Sequence, residues 1–249
     1  MACSDTNISC NILSNGCTDL LGCDPSICAD FVIKRHDTKP DFKLNLSDCD
    51  GPIDLTDLIA EASMWAKAKL KSSITESDTV ISFADGIGFD QVMVNDIIVL
   101  DRVRMPEKVL VVDFDESAKS ITIERGYQGT IPQSWKKGTN IKIIKFINKT
   151  AVTEMLYQDI EQMDGSKVAT LMDSFLIYEW GQYDTCLPGC YNLEFKLMKP
   201  TDVINPVTSP DVVESYGCGL PAGIEWMRRF PSNSEGFKIQ IFDTPTGDL

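Results

Sequence analysis

Nine cysteines are the side chains of this chain with the most potential for chemistry, and five of them lie within the first 28 residues. Those five are Cys3, Cys10, Cys17, Cys23 and Cys28, and Cys49, Cys186, Cys190 and Cys218 follow. No interval among the five is the Cys-x-x-Cys spacing that zinc and iron–sulfur sites usually use. We expect disulfides within this segment or between subunits, with metal binding and free buried thiols as the alternatives.

Two further cysteines are spaced closely enough to form a disulfide in a small loop. Cys186 and Cys190 bracket a Leu-Pro-Gly turn, and they either close this loop or are ordinary turn residues. The total of nine is odd, so at least one thiol stays free, binds something or pairs with another chain. The candidate disulfide or interchain thiols are therefore the five N-terminal cysteines together with Cys186 and Cys190.

His36 is the only histidine, so any histidine-dependent catalytic or metal site would have to use it. It lies in a strand-and-turn segment, and we expect it to bond to the backbone there. Four carboxylates surround Gly51, but their offsets differ from those of a calcium-binding loop, and we interpret them as a solvated turn. They are Asp48, Asp50, Asp54 and Asp57. The sequence therefore predicts no catalytic residue, metal or cofactor, and no enzyme.

The charge of the chain excludes several partners. With 23 Lys and Arg against 37 Asp and Glu, the net charge is −14, which repels nucleic-acid phosphates. No apolar run approaches the 18 residues that a membrane-spanning helix needs. The first residues also lack a basic region followed by an apolar core, so we expect no secretory signal.

The elements that would position these residues have the alternation of β-strands. Phe31 and Ile33, then Phe42, Leu44 and Leu46, alternate with polar residues as in half-buried strands. Five short apolar runs between residues 72 and 150 are separated by turns and predict a small barrel or sandwich. These runs are Val80–Phe83, Ile97–Leu100, Val109–Val112, Ile121–Ile123 and Ile141–Phe146.

Three other segments have distinct patterns. Apolar residues at helical spacing predict a connecting helix over 151–163. The segment 199–210 is rich in proline and predicts a stiff linker, and the C-terminal extension to residue 249 contains one amphipathic strand, Phe237–Phe242. Residues 1–28 lack periodicity and predict an extended arm.

Two motifs occur in order along the chain. The opening motif contains Asp37-Thr-Lys-Pro40 and Gly51-Pro-Ile-Asp-Leu-Thr56, and the closing motif runs from Pro188 to Phe195. Together they resemble the N-terminal β-sandwich of upper baseplate proteins of tailed bacteriophages. This resemblance also requires the Ala- and Lys-rich segment 59–71 to be a strand, against its helix propensity. It implies a sandwich formed by 29–71 and 164–198, with 72–150 inserted as a separate β module.

The inserted segment has a resemblance of its own. Arg125-Gly-Tyr-Gln-Gly-Thr130, followed by Trp135 and Gly138, is similar to a pattern in small β modules of phage tail, fibre and baseplate proteins. Trp135 stands where many of those modules have a histidine. The segment around Trp226 also resembles phage structural proteins.

These resemblances imply a mainly β virion protein, made in the host cytoplasm and located in the tail or baseplate. Its role would be to mediate subunit assembly and to anchor a fibre or receptor-binding part, with copies of itself and other tail proteins as partners. We expect the N-terminal arm and the proline-rich tail to act in assembly because both are too polar to fold alone. The alternative is a carbohydrate-binding tail module that uses exposed aromatic residues of 72–147.

Aromatic residues are the candidate contacts for such partners, since Trp and Tyr are favoured at subunit interfaces. The candidate interface anchors are Trp65, Trp135, Trp180, Tyr183 and Trp226. The sequence leaves open which of them, and of Tyr178 and Tyr191, belong to the core instead.

Overall fold

The structure is a computed structural model that describes residues 9–12, 29–48, 51–84, 88–100, 105–200, 224–230 and 236–243. The described residues form fourteen β-strands, with short 3-10 helices at Phe89–Gln91 and Tyr127–Gly129. The strands are β1 (Ser9–Ile12), β2 (Phe31–Lys34), β3 (Phe42–Asp48), β4 (Gly51–Pro52), β5 (Ile59–Lys69), β6 (Val80–Ser82), β7 (Ile97–Leu100), β8 (Glu107–Asp115), β9 (Ser120–Glu124), β10 (Asn140–Glu161), β11 (Lys167–Tyr178), β12 (Gly189–Pro200), β13 (Ile224–Phe230) and β14 (Phe237–Phe242). The mainly β class predicted from the sequence is confirmed.

One row of paired strands runs through most of the molecule in the order β2-β14-β12-β5-β10-β7-β8-β9-β6, and β13 also pairs with β12. The pair β14 and β2 is parallel, whereas the other pairs of the row are antiparallel. A second group joins β1, β3, β4 and β11 to the far half of β10. The 22-residue β10 therefore belongs to both groups.

Strands on either side of residues 72–150 are hydrogen-bonded to each other. β3 pairs with β11 from Phe42 with Tyr178 to Asn45 with Phe175. β5 pairs with β12 along seven registered positions. These pairings bring the two segments with the baseplate-like motifs side by side. The division of the chain into a host and an inserted module stays a prediction.

A single cluster of buried apolar side chains runs through both strand groups and through the strands of segment 72–147. Phe42 of β3 joins the groups, because its ring lies 5.3 Å from that of Phe31 and 5.6 Å from that of Phe195. Alternation in β5 buries small side chains such as Ala62 and Ala66, as the strand prediction for this segment required. The segment is a strand despite its helix propensity.

The helix predicted over 151–163 is wrong, because residues 140–161 form the continuous strand β10. Val152, Met155, Leu156 and Ile160 have helical spacing, but no buried face receives them together. Val152, Leu156 and Ile160 are at least 40% exposed. Pairing with β11, which satisfies the backbone groups of this stretch, determines its conformation.

The two ends of the chain contribute strands to these groups. β1, within the predicted N-terminal arm, pairs with β3, and β14 fills the row between β12 and β2. The strand predicted at Phe237–Phe242 is confirmed. The remainder of the arm and the proline-rich segment 201–223 lie outside the described residues. Among those described, no helix is long and apolar enough to cross a membrane.

Candidate functional site

A cleft of about 380 Å³ opens on one face of the sheet where β7 and β10 lie beside the 3-10 helix at Tyr127–Gly129. Ile97 and Ile144 both line it, and they are register partners in adjacent strands, so their half-buried side chains share one face. Phe146 also lines it, two residues further along β10. The cleft therefore has an apolar base.

One side of the cleft carries an ammonium group with no opposite charge beside it. Lys108 Nζ donates a hydrogen bond of 3.1 Å to Gln128 Oε1. Within the described part of the chain, no carboxylate forms an ion pair with Lys108. The amide of Asn95 also lines the cleft.

The other side carries a buried ion pair. Lys145 Nζ lies 2.6 Å from Asp96 Oδ2, and their side chains are only 10% and 16% exposed. The same oxygen accepts a hydrogen bond of 2.8 Å from the Met93 backbone N–H. No described residue donates to the second oxygen, Oδ1. The carboxylate is thus held in place while one of its oxygens remains able to accept.

The backbone around the cleft departs from regular strand geometry. Asn95 and Gln128 have φ angles of 73° and 53°, in the left-handed region. Gly adopts this region readily and Asn and Asp adopt it occasionally, but it is strained for other residues. The register of β10 also shifts between Ile144 and Phe146. Strained residues and β-bulges gather at binding sites, where they aim side chains at a ligand.

A second surface feature is a two-stranded ribbon, residues 156–172, formed by the ends of β10 and β11. Five register pairs hold it together, from Tyr157 with Leu171 to Glu161 with Lys167. Pairing of β10 with β5 stops at Ala151, and pairing of β11 with β3 reaches only to Phe175. Among the described strands, none continues the sheet on either edge of this ribbon.

Both faces of the ribbon expose apolar side chains. Ile160 and Val168 are register partners on one face, and Tyr157 and Leu171 are partners on the other. The exposed members are Leu156, Tyr157, Ile160, Met163, Val168 and Met172, each at 40% or more. An isolated two-stranded ribbon is marginally stable in water, and clustered exposed apolar residues mark interaction surfaces.

The Arg-Gly-x-x-Gly-Thr motif is held by a buried carboxylate. Glu107, with no exposed surface, accepts from Arg125 Nε at 2.7 Å and Nη2 at 2.9 Å, and from Trp135 Nε1 at 2.7 Å. Desolvation of Glu107 raises its pKa, but the hydrogen bonds from Arg125 and Trp135 and the nearby guanidinium charge outweigh it, so the pKa lies below its ordinary value. The motif is therefore structural: it fixes the turn that carries Gln128.

Another buried carboxylate organises the loop before β12. Asp184 accepts 2.7 Å hydrogen bonds from Tyr178 Oη and from the Gly181 N–H, and it pairs with Lys149. Burial raises the pKa of the Tyr178 hydroxyl, and the hydrogen bond to Asp184 raises it further. This arrangement holds a loop whose tip, Tyr183, is 82% exposed.

The structure separates the predicted cysteines. Cys190 is disulfide-bonded, whereas Cys186 is free, so of the two alternatives for this pair the closed small loop does not form. The Cys186 thiol lies 4.0 Å from the sulfur of Met93 instead. Cys10 lies in β1, but its side chain is outside the described part, as are Cys3, Cys17, Cys23 and Cys28.

Most of the predicted interface anchors are core residues. Trp65, Trp135 and Trp180 are at most 5% exposed, so the core alternative holds for them, as it does for Tyr178 and Tyr191. Tyr183 is the exposed one, and the side chain of Trp226 lies outside the described residues. The rings of Phe83, Phe89 and Phe146 in segment 72–147 are also buried, whereas the side chain of Phe114 in the same segment is 42% exposed.

His36 lies in an exposed turn with φ 64°, where its backbone N–H donates to the Thr185 carbonyl. Across the described ranges, no group of three His, Cys, Asp or Glu side chains is placed to hold a metal ion. Sequence patterns did not single out the cleft residues Asn95, Asp96, Lys108 and Gln128. Their only signal was the turn composition around Gly126 and Gly129.

The chain matches no model of a known protein family and no curated protein.

Proposed function

We propose that this chain is a structural component of a tailed-phage virion, a baseplate or fibre-attachment protein that binds neighbouring copies of itself. The ordered motifs around Asp37, Gly51 and Pro188 support the phage assignment by resemblance. The β3–β11 and β5–β12 pairings support it too, because they join segment 29–71, which contains the opening motif, to segment 164–198, which contains the closing motif.

The observation that carries the assembly role is the ribbon 156–172. Its five residue pairs extend about 17 Å at the rise of an antiparallel strand. Apolar side chains on both of its faces have no cover from the described residues, and a neighbouring subunit would bury them. Its free strand edges would also permit pairing with a strand of that subunit.

The test shortens the ribbon while keeping the register of the remaining strand pairs. Leu156 and Asp173 are partners, so replacing residues 157–172 by Asn-Gly leaves a hairpin that closes with a two-residue turn. We expect the full chain to show concentration-dependent association in sedimentation analysis, and we expect this variant to remain folded by circular dichroism but to lose that association. A second variant, Ile160→Thr with Val168→Thr, should weaken association by at least about tenfold, since it removes apolar burial from one face.

The matched control is Val112→Thr, an equally exposed position on the other hairpin, β8–β9. It should associate like the unmodified chain. The assembly proposal is contradicted if the full chain stays monomeric at high concentration, or if the shortened variant associates as strongly as the full chain.

A further inference from the structure

We propose that the cleft between β7, β8 and β10 binds one carboxylated sugar unit of an acidic polysaccharide. This site is separate from the ribbon, because no residue of 156–172 lines the cleft. The inference therefore goes beyond the assembly role and stands without it.

The size of the cleft limits the ligand. A volume of about 380 Å³ lies near the lower end of the range for small-molecule sites, which is roughly 300–1,000 Å³. Ile97 and Ile144 give it an apolar base, and Ile147, which is 40% exposed, adds to it. One pyranose ring, with an apolar face of C–H groups and a polar edge, fits both the size and this division of surface.

The polar groups have the chemistry that sugar hydroxyls require. The amides of Asn95 and Gln128 both donate and accept, and Asp96 Oδ1 accepts. The pair between Asp96 and Lys145 keeps the carboxylate in position without a ligand, which reduces the cost of binding. The left-handed backbone of Asn95 and Gln128 places these two amides at the cleft.

The charge of the cleft selects an acidic sugar. Two ammonium groups, Lys108 and Lys145, face one carboxylate, Asp96, which leaves one positive charge in a protein whose net charge is −14. A single ligand carboxylate beside Lys108 balances that charge. A phosphate dianion fits less well, because it would approach Asp96 and would meet neither an arginine nor a helix N-terminus.

The experiment uses the full chain and isothermal titration with two probes, oligogalacturonate and sialyllactose. Each probe has a matched form in which the carboxylate is reduced to an alcohol, and inorganic phosphate is a third arm. We expect saturable binding of at least one acidic probe and at least about tenfold weaker binding of its reduced form. The inference is overturned if neither acidic probe binds, if the reduced form binds equally well, or if phosphate alone binds.

Variants locate the binding in the cleft. Lys108→Gln removes the charge from a half-exposed side chain and should weaken acidic-probe binding by at least about tenfold, with little effect on the reduced probe. Gln128→Gly removes the amide and relieves the left-handed strain, so affinity should fall while the melting temperature is kept. The control is Lys136→Gln, an exposed lysine outside the cleft with the same charge change, which should bind normally. Equal losses in the Lys108 and Lys136 variants would indicate general electrostatic attraction and overturn the site.

The ribbon-shortened variant separates this inference from the assembly proposal. It should bind the acidic probe like the full chain, whether or not it still associates.

Discussion

At the scale of single residues, Glu107 is the residue on which the Arg-Gly-x-x-Gly-Thr turn motif depends. A carboxylate in the core destabilises a fold unless every hydrogen bond that it needs is formed, and here Arg125 and Trp135 supply them. This geometry also bears on Trp135, which stands where many of the phage modules that this segment resembles have a histidine. The Trp135 indole N–H donates to Glu107, a role that the ring N–H of a histidine is also able to perform.

Trp135→Phe keeps an aromatic ring but removes the donor to Glu107, so part of a buried charge is left unsatisfied. We expect the free energy of unfolding in urea to fall by about 2 kcal/mol more than in Trp180→Phe. Trp180 is equally buried, but its indole N–H meets no acceptor among the described residues. The Trp180→Phe control therefore removes the same atoms but breaks no hydrogen bond. Equal losses in the two variants would contradict the role assigned to Trp135.

At the scale of elements, β5 shows why an alanine-rich segment forms a strand here. Its small side chains permit the turn before Phe89 to approach closely: a Cβ on Gly88 would lie 2.7 Å from Ala68 Cβ and 3.1 Å from Ile143 Cδ1. Larger residues in β5 would exclude this turn from the sheet. The composition that predicts a helix thus serves close packing of a loop on a strand.

Gly88→Ala tests this packing. Both the left-handed φ of 88° and the contact with Ala68 oppose the added methyl group, so we expect a loss of about 2–4 kcal/mol in unfolding free energy. Gly138→Ala is the matched control, because its φ is 81° but nothing lies within 4 Å of the new Cβ. The unfolding free energy of the Gly138→Ala variant should fall by only about 1 kcal/mol. If the two variants lost similar amounts of unfolding free energy, backbone strain alone would explain the effect of Gly88→Ala, and the close packing on Ala68 would be contradicted.

Short apolar runs between turns predicted β7 with its observed bounds and placed β6, β8 and β9 within a few residues, and the amphipathic pattern of Phe237–Phe242 predicted β14. The run Ile141–Phe146 was also predicted as a strand and lies in β10. The prediction failed for residues 151–161 of β10, because the exposed end of this strand has no buried face to impose a period of two, and the spacing of its apolar residues then suggested a helix. The cleft was beyond prediction for a different reason. Asn95, Lys108, Gln128 and Lys145 come together only through pairing across strands, which no local pattern encodes.

At the scale of the whole molecule, the predicted boundaries of the inserted module divide elements that the structure joins. β5 pairs with β12 through Ile59–Trp65 and with β10 along its length to Lys69. β10 in turn continues from segment 72–150 into the ribbon without a break. Because one apolar cluster also spans both parts, the segment shares its core and its strands with the remainder of the chain.

This sharing predicts that the chain unfolds as one cooperative unit and that segment 72–150 does not fold when excised. Excision removes β5, which leaves Ile141 and Ile143 of β10 without their neighbours Ala68 and Ala66. We expect the 72–150 fragment to lack dispersed amide signals in NMR, whereas a 59–150 fragment that restores β5 should recover part of them. In the full chain, tryptophan fluorescence and far-ultraviolet circular dichroism should give coincident thermal transitions. A folded 72–150 fragment, or two separated transitions, would instead identify the segment as an autonomous module with its own sufficient core.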